Sequence, residues 1–275
     1  MRRFSLRNDI AKSVIGLLTV AVALFPIYWM LNASFQPRTA LLAATPSWFP
    51  APPILEGFQN ALSTQAGSLL TSCFIACVST LVSLAIAAPC AYGLVIFKLR
   101  WTTFFIFVLL LVQMIPNVVM ANALYTIFAR AGWLNTYQAL ILADASLSTP
   151  FAILLLRAFM VSLPKTLTEA ALVDGTGYWG AFLRVILPLS RNGIVTAGLF
   201  CFLFAWSDFL YALTLSTKQK IVPITLSIYQ FIGTHGTDWT SVMATAVMAS
   251  IPPIMLLLLG QRHITAGLMG GSVKE

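Results

Sequence analysis

Apolar residues gather into six long runs, and most of the polar residues fall between them. The runs are Val14–Phe35, Leu69–Phe97, Thr103–Phe128, Ala139–Met160, Ile194–Leu215 and Ser241–Gly260. A helix needs roughly 20 such residues to cross the hydrocarbon of a bilayer. The pattern predicts an all-α membrane protein with six transmembrane helices. The second run is long for one crossing and is expected to tilt or to extend beyond the lipid. The first run follows Arg2, Arg3, Arg7 and Lys12, as the apolar region of a secretory leader would. It is longer than the roughly 7–15 residues of such a region, and no small-x-small site closes it, so it reads as a retained first span.

The basic residues orient these spans. With the N-terminus in the cytoplasm, the inner connections hold Arg2, Arg3, Arg7, Lys12, Lys98, Arg100, Arg157, Lys165, Arg184, Arg191, Arg262 and Lys274, whereas the outer ones hold only Arg38, Arg130, Lys218 and Lys220. Lys and Arg accumulate on the cytoplasmic side of membrane proteins, so both termini are expected there. The chain then divides into a cytoplasmic N-terminus (1–13), a first transmembrane helix (14–35), an extracytoplasmic loop (36–68), a core domain (69–260) with a cytoplasmic loop at 161–191, and a cytoplasmic C-terminal tail (261–275). The outer loop carries Pro37, Pro46, Pro50, Pro52 and Pro53 with Trp48, Phe49 and Phe58 among them. Proline forbids a continuous helix there. The aromatic residues fit either a headgroup anchor or a cap near an external binding protein.

Composition narrows the function classes. The chain is 59% hydrophobic and 9% charged, against about 25% charged for soluble domains. The net charge of +8 is spread over short connections and forms no stripe, which argues against nucleic acid. Cys73, Cys77, Cys90 and Cys201 all fall within apolar runs, without metal-site spacing. His235 and His263 are far apart, and no H-E-x-x-H, nucleophile elbow or pair of catalytic carboxylates occurs. No G-x-x-x-x-G-K-[ST] is present, so a phosphate-driven process would need another chain to bind the nucleotide. A secondary transporter should show an inverted repeat or helices broken around intramembrane charge, and the sequence displays neither.

The loop between the fourth and fifth runs is a polar, amphipathic interruption. Thr166-Leu167-Thr168-Glu169 has the form of a capping box. Pro164 bars the preceding helix from continuing. Asp174-Gly175 offers a left-handed stop. Trp179, Phe182 and Ile186 then recur at spacings of three and four, predicting a second helix with one apolar face, which Pro188 should end. Ala170 and Ala171 are small enough to let a partner backbone approach, and Glu169 fixes one charge. Such an element suits a plug seated in another protein, or a helix lying on the membrane surface.

Three stretches carry a resemblance: LPKTLTEAALVDGTGYWGAFLRVILPLS (163–190), FAWSDFLYAL (204–213) and QRHITAGLMGGSVK (261–274). With them the chain resembles the permease subunits of carbohydrate-type ABC importers, the maltose-transporter-like, MetI-like family with an EAA loop. Ser207 departs from that pattern, which has Asn there. The resemblance implies that Glu169, Ala170, Ala171, Asp174, Gly175, Trp179, Phe182, Leu187 and Pro188 couple to the ATPase, and that the tail, with Gly267, Gly270 and Gly271, reaches toward it. It implies a second permease, two ATPase subunits carrying ATP and Mg, and an extracytoplasmic solute-binding protein. It implies no catalytic residue, metal or cofactor on this chain, and a place in the bacterial cytoplasmic membrane as a multi-pass protein. A permease for polyamine, phosphate or peptide is the alternative, and a secondary transporter a more distant one.

Polar residues within spans usually face a cavity or the bundle interior. Gln113, Asn117, Asn122, Asp144, Ser148, Trp206 and Asp208 are therefore candidates for the substrate pathway, since amides and carboxylates suit sugar hydroxyls and an aromatic face suits the ring. Interhelix hydrogen bonding is the competing account of the same residues.

Overall fold

The structure, a computed structural model, describes residues 6–97, 100–218, 220–233 and 236–269. Arg2, Arg3, Lys98, His235, Gly270, Gly271 and Lys274 lie outside the described residues. The elements are almost all helical. They are α1 (Leu6–Ser34), α2 (Arg38–Leu41), α3 (Glu56–Ile96), α4 (Thr102–Gln113), α5 (Asn117–Arg130), α6 (Tyr137–Val161), α7 (Thr166–Val173) and α8 (Tyr178–Ala181). A π-helical turn (Phe182–Ile186) leads from α8 into α9 (Leu187–Leu189), followed by α10 (Arg191–Trp206), α11 (Leu210–Leu215), α12 (Ile224–Ser227) and α13 (Trp239–Met269). A 3-10 turn (Ile228–Phe231) and a two-residue antiparallel ladder, Ile232 opposite Thr237 and Gly233 opposite Gly236, precede α13. Among the described residues four helices are long and apolar enough to cross a membrane, or up to six if each of two bent helix pairs is one span.

The chain forms two compact units. In the first (residues 1–66 and 228–251), α1 shows its apolar residues outward; Leu17 and Val22 are 72% and 74% exposed. Its C-terminal end is covered by the loop that follows. The side-chain amides of Asn32 and Gln36 both donate to the Ser47 carbonyl, at 2.9 and 2.8 Å. Tyr28 donates to the Trp48 carbonyl, and the Trp48 ring meets Trp29 edge-on at 5.9 Å. Trp48 thus leans on α1 with one edge and Phe58 lies 5.0 Å from Phe35, whereas Phe49 stays exposed. Helix α3 begins at Glu56, not at Leu69 where the apolar run begins. Asn60, Ser63 and Thr64 end hydrophobicity without ending a helix, and a glutamate in the first turn favours the positive end of the helix dipole.

The second unit (67–227 and 252–275) holds two apolar clusters. One joins Ala87, Ala91, Ala152, Leu156, Ala197 and Cys201 with Phe182 and Ile186 of the 161–191 loop. The other joins Ile75, Phe128, Leu140, Tyr211, Leu215 and Ile221. Small residues let helix backbones approach where lipid offers no hydrophobic drive. Gly193 is the tightest such point in α10: a Cβ there would lie 2.7 Å from Cγ of Phe159. Between α3 and α6, the Ser83 and Ser148 hydroxyls bond at 2.8 Å, and Ser79 donates to the Ile141 carbonyl at 3.2 Å.

Three further runs depart from the sequence expectation. The third run is broken at residues 114–116, and α4 and α5 meet at 94°. Pro116 has no N–H and turns the residue before it away from helical geometry. The fifth run breaks at residues 207–209, between α10 and α11. Broken helices are therefore present although the sequence pattern did not show them. The last helix runs through Gly260 to Met269, so Gly267 belongs to a helix and not to a separate tail beginning at Gln261.

The close packing at Gly193 sets a testable contrast. Gly193→Ala should cost about 1–3 kcal/mol through forced displacement of Phe159. Gly16→Ala, with nothing within 4 Å of its Cβ, should be neutral or stabilising by up to about 1 kcal/mol. Thermal unfolding of the purified protein in detergent distinguishes the two; equal midpoints would contradict the packing.

Candidate functional site: the loop at 161–191

Helix α6 ends with the Ser162 and Leu163 amides bonded to the Phe159 and Met160 carbonyls, both at 3.2 Å. Pro164 follows, and α7 begins. The expected capping box is not formed. Lys165, in right-handed helical conformation, takes the N-cap position, which makes Thr166 the first helical residue, and no side chain caps the helix. Carbonyls do that work: Pro164 accepts from Leu167 at 3.2 Å, and Lys165 accepts from Thr168 and Glu169 at 3.0 and 3.1 Å. A hydroxyl already inside the first turn is on the wrong side of the free amides.

The other end of α7 closes as its residues require. Gly175 adopts φ +80°. Its amide donates to Leu172 O and the Thr176 amide to Ala171 O, both at 3.1 Å. This is the paired 5→2 and 6→1 closure of a Schellman motif. The Thr176 hydroxyl adds a third bond, to Ala171 O at 2.6 Å. Gly180 lets the returning helix pack on that threonine: a Cβ would lie 3.0 Å from Thr176 Cβ. The reversal is thus compact.

Two residues near the end of α3 hold the loop down. The Tyr92 hydroxyl donates to the Tyr178 carbonyl at 3.1 Å, and its ring lies 5.1 Å from Phe182. The Phe97 ring lies 5.0 Å from Tyr178. Sequence reasoning missed both; Tyr92, an aromatic with a polar tip near the end of an apolar run, was the available signal. The π turn follows, in which Leu187 N–H reaches back to Phe182 O. Its wider step places Phe182 and Ile186, four apart, both in the core at 3% exposure, while Trp179 stays 61% exposed. The apolar face predicted for all three holds for two of them. The helix ends one residue after Pro188, at Leu189, and the wide π turn lies just before the proline that has no N–H to give. The chain bends by 79° at Ser190.

The loop therefore has two faces. Ala171, Ala181, Phe182 and Ile186 are buried, the last two within the core cluster of the second unit, and Leu187 is half-buried. Glu169, Ala170, Val173, Asp174, Gly175, Trp179 and Pro188 are exposed. Val173 and Trp179 are large apolar groups facing outward beside two carboxylates, Glu169 and Asp174. Among the described residues no group of three or more His, Cys, Asp or Glu could hold a metal.

Of the candidate pathway residues the structure brings Asp144 and Asp208 within electrostatic reach of each other, beside Tyr211, and leaves Gln113, Asn117 and Asn122 on exposed surface. Gln113, Asn117 and Asn122 are exposed on α4 and α5, and the Gln113 amide donates to Leu109 O of its own helix at 3.2 Å. Ser148 is buried in its bond with Ser83. Trp206 is buried and stacked on Phe202 at 5.5 Å. Asp208 caps α11, its two oxygens accepting from the Tyr211 and Ala212 amides at 3.1 and 3.0 Å. Asp144 is buried, and its Oδ1 has no hydrogen-bond partner among the described residues. Ser207, where the family pattern has Asn, turns its hydroxyl back to Leu203 O at 2.7 Å.

Comparison with known proteins places these features. A family described as "Binding-protein-dependent transport system inner membrane component" matches residues 83–269, which include the whole loop. The chain is similar to the diacetylchitobiose uptake system permease protein of Streptomyces coelicolor, at 33% identity over 91% of each chain. It is similar to the sulfoquinovosyl glycerol transport system permease protein of Agrobacterium fabrum, at 31% identity over 91% of this chain and 89% of the relative. It is also similar to the trehalose/maltose transport system permease protein of Thermococcus litoralis, at 29% identity over 98% and 99%. Among solved structures, a chain of a bacterial ABC transporter involved in the import of the acidic polysaccharide alginate shares the fold, with a TM-score of 0.81 at 19% identity, covering 95% of this chain and 99% of that one.

Because nothing lies within 4 Å of a Cβ built on Gly175, substitution there is penalised by backbone conformation alone. Gly175→Val should loosen the end of α7 by about 1 kcal/mol or more, and Gly175→Asn by clearly less. Amide hydrogen exchange across residues 166–182 checks this; equal protection in both variants would rule out the left-handed closure.

Proposed function

The chain belongs to the family of binding-protein-dependent transport system inner membrane components, and we propose that it is the permease subunit of an ATP-driven importer for a sugar or sugar derivative. It is a multi-pass membrane protein of the ABC-transporter permease type, and it hydrolyses no ATP itself. The sugar class is supported by relatives whose names specify diacetylchitobiose, sulfoquinovosyl glycerol and trehalose/maltose. In this reading the chain lies in a bacterial cytoplasmic membrane with both termini inside, and forms the pathway with a second permease. Two ATPase subunits carry ATP and Mg, an extracytoplasmic protein delivers the solute, and this chain binds no cofactor.

One observation carries the coupling role: the 161–191 loop is fixed on one side and bare on the other. Tyr92, Phe97 and the buried Phe182 and Ile186 tie it to α3 and to the core cluster of α6 and α10. Glu169, Ala170, Val173, Asp174 and Trp179 are left outward. A push on the outward face then moves the helices to which the inward face is bonded. Glu169 and Asp174 would meet basic groups of the ATPase, while Val173 and Trp179 would fill an apolar groove. The C-terminal residues, with Gly267, Gly270 and Gly271, would approach the ATPase pair. Gln113, Asn117 and Asn122, outward on α4 and α5, are the residues of this chain best placed to face a shared pathway.

Two experiments test the reading. The first is Glu169→Ala in the assembled transporter. Loss of a desolvated ion pair with the ATPase is worth about 2–5 kcal/mol, so uptake should fall by tenfold or more while the permease still folds. Wild-type uptake together with undiminished co-purification of the ATPase would remove the coupling role from this loop. The second concerns orientation. In a background lacking native cysteines, Thr45→Cys should react with a membrane-impermeant reagent added outside, and Val173→Cys only after the membrane is opened. The reverse pattern would invert the topology and place the loop out of the ATPase's reach.

A further inference from the structure

Two cavities in the second unit adjoin one another at the junction of α10 and α13. They share Val195, Arg262 and His263. The smaller, of about 440 Å³, is a polar mouth lined also by Arg191 and Asn192. The larger, of about 640 Å³, is an apolar slot along α3, α10 and α13, lined by Leu81, Leu199, Phe202, Leu256 and Leu259 among others. Both arginines are exposed. No acidic side chain lines either cavity among the described residues.

The mouth is organised. Arg262 Nε–H donates to His263 Nε2 at 3.2 Å, which leaves the ring proton on Nδ1, directed at Asn192 Oδ1 at 2.9 Å. A ring held at both nitrogens braces the ends of α10 and α13, with Arg191 and Arg262 beside it. Guanidinium groups match the oxygens of a phosphate in geometry as well as charge.

The slot says what the phosphate is attached to. From Arg191 at the start of α10 to Phe202, the helix rises about 16 Å at 1.5 Å per residue. That is the depth of one leaflet, half of a hydrocarbon core of about 30 Å. A free anion would use the mouth and leave the slot empty, and a neutral detergent-like molecule would use the slot and ignore the charge. We propose that this mouth and slot are a binding site for an anionic phospholipid, its phosphate between Arg191 and Arg262 and one acyl chain along Leu81, Leu199, Phe202 and Leu256. Basic recesses between membrane helices on the cytoplasmic side recognise lipids of this kind. The assignment to the cytoplasmic leaflet rests on the orientation proposed above; the lipid chemistry does not.

The test uses the assembled transporter, purified in detergent and stripped of lipid, and titrated with phosphatidylglycerol, with phosphatidylcholine of the same chains, and with glycerol 3-phosphate. Native mass spectrometry and the thermal midpoint are read together. Phosphatidylglycerol should be retained and raise the midpoint, phosphatidylcholine should bind at least tenfold more weakly, and glycerol 3-phosphate should do nothing. Arg191→Gln with Arg262→Gln should bring phosphatidylglycerol down to the level of phosphatidylcholine, whereas the double lysine variant should keep most of the binding. Val195→Trp, which fills the join of mouth and slot without changing charge, should weaken both lipids. Equal binding of the two lipids, wild-type binding by the glutamine pair, or unchanged lipid binding by Val195→Trp would each overturn the proposal. An equal response to glycerol 3-phosphate would reduce the site to a bare phosphate site and overturn it as well. In detergent both ends of the protein are accessible, so this result is independent of the labelling at Thr45 and Val173, which alone reports the side of the membrane.

Discussion

In hydrocarbon a backbone amide or carbonyl without a partner costs several kcal/mol, and no water is there to supply one. That constraint shapes this chain. It makes the spans helical, and it requires every interruption to carry its own partners. At the break after Trp206, Asp208 takes the amides of Tyr211 and Ala212. At the turn before α6, the Asn135 amide bonds Leu215 O at 2.9 Å, and its side chain accepts from Lys218 N at 2.7 Å. Asn135 also adopts φ 61°, which asparagine tolerates better than most residues. Asp208 is thus understood first as the means by which a broken helix remains satisfied, before any role toward a solute, and Asn135 does the same for a turn between two helices.

The same accounting applies to the 161–191 loop, although it lies outside the long apolar runs. Its ends are closed locally: carbonyls of Pro164 and Lys165 at one end of α7, the double closure around Gly175 at the other, and the Tyr92 hydroxyl on the Tyr178 carbonyl. The aromatic contacts from Tyr92 and Phe97 come from α3, whereas Phe182 and Ile186 share a cluster with Ala152, Leu156 and Ala197 of α6 and α10. A short element tied to three helices cannot be displaced without moving at least one of them. A hinge built of flexible loop would lack this property, because it would absorb the displacement itself.

Much of this was legible in the sequence, and the rest was hidden for physical reasons. Hydropathy located the long helices because lipid exposure demands apolar length. It misplaced the start of α3, since Asn60, Ser63 and Thr64 are polar without being helix breakers. It joined α4 to α5 and α10 to α11, because a run of apolar residues does not report the direction of its axis. Gly175 was readable as a helix stop, since few residues accept positive φ. The capping box at Thr166 was not formed, because the pattern marks a candidate N-cap and the backbone at Lys165 decides which residue occupies it. Trp179 was assigned to the inner face by a period of 3.6, and the π turn changes that period just where it would have mattered. The polar residues of the spans shared chemistry but not location: Gln113 and Asn117 face outward, whereas Ser148 and Asp208 are occupied within the fold.

That dispersion bears on how the chain does its work. A sugar site needs several hydroxyl-binding groups within a few ångströms of one another, with the aromatic face among them. Here the aromatic candidate, Trp206, is stacked against Phe202 and buried, and the exposed amides stand on α4 and α5 without it. In the proposed reading, these residues would supply one wall of a solute site. The loop is arranged in the opposite manner, with every outward group on one compact turn. In the proposed reading the two ends of the function are therefore unequally represented: the outward groups that would receive force are gathered on one turn of this chain, whereas a solute site would be completed by another.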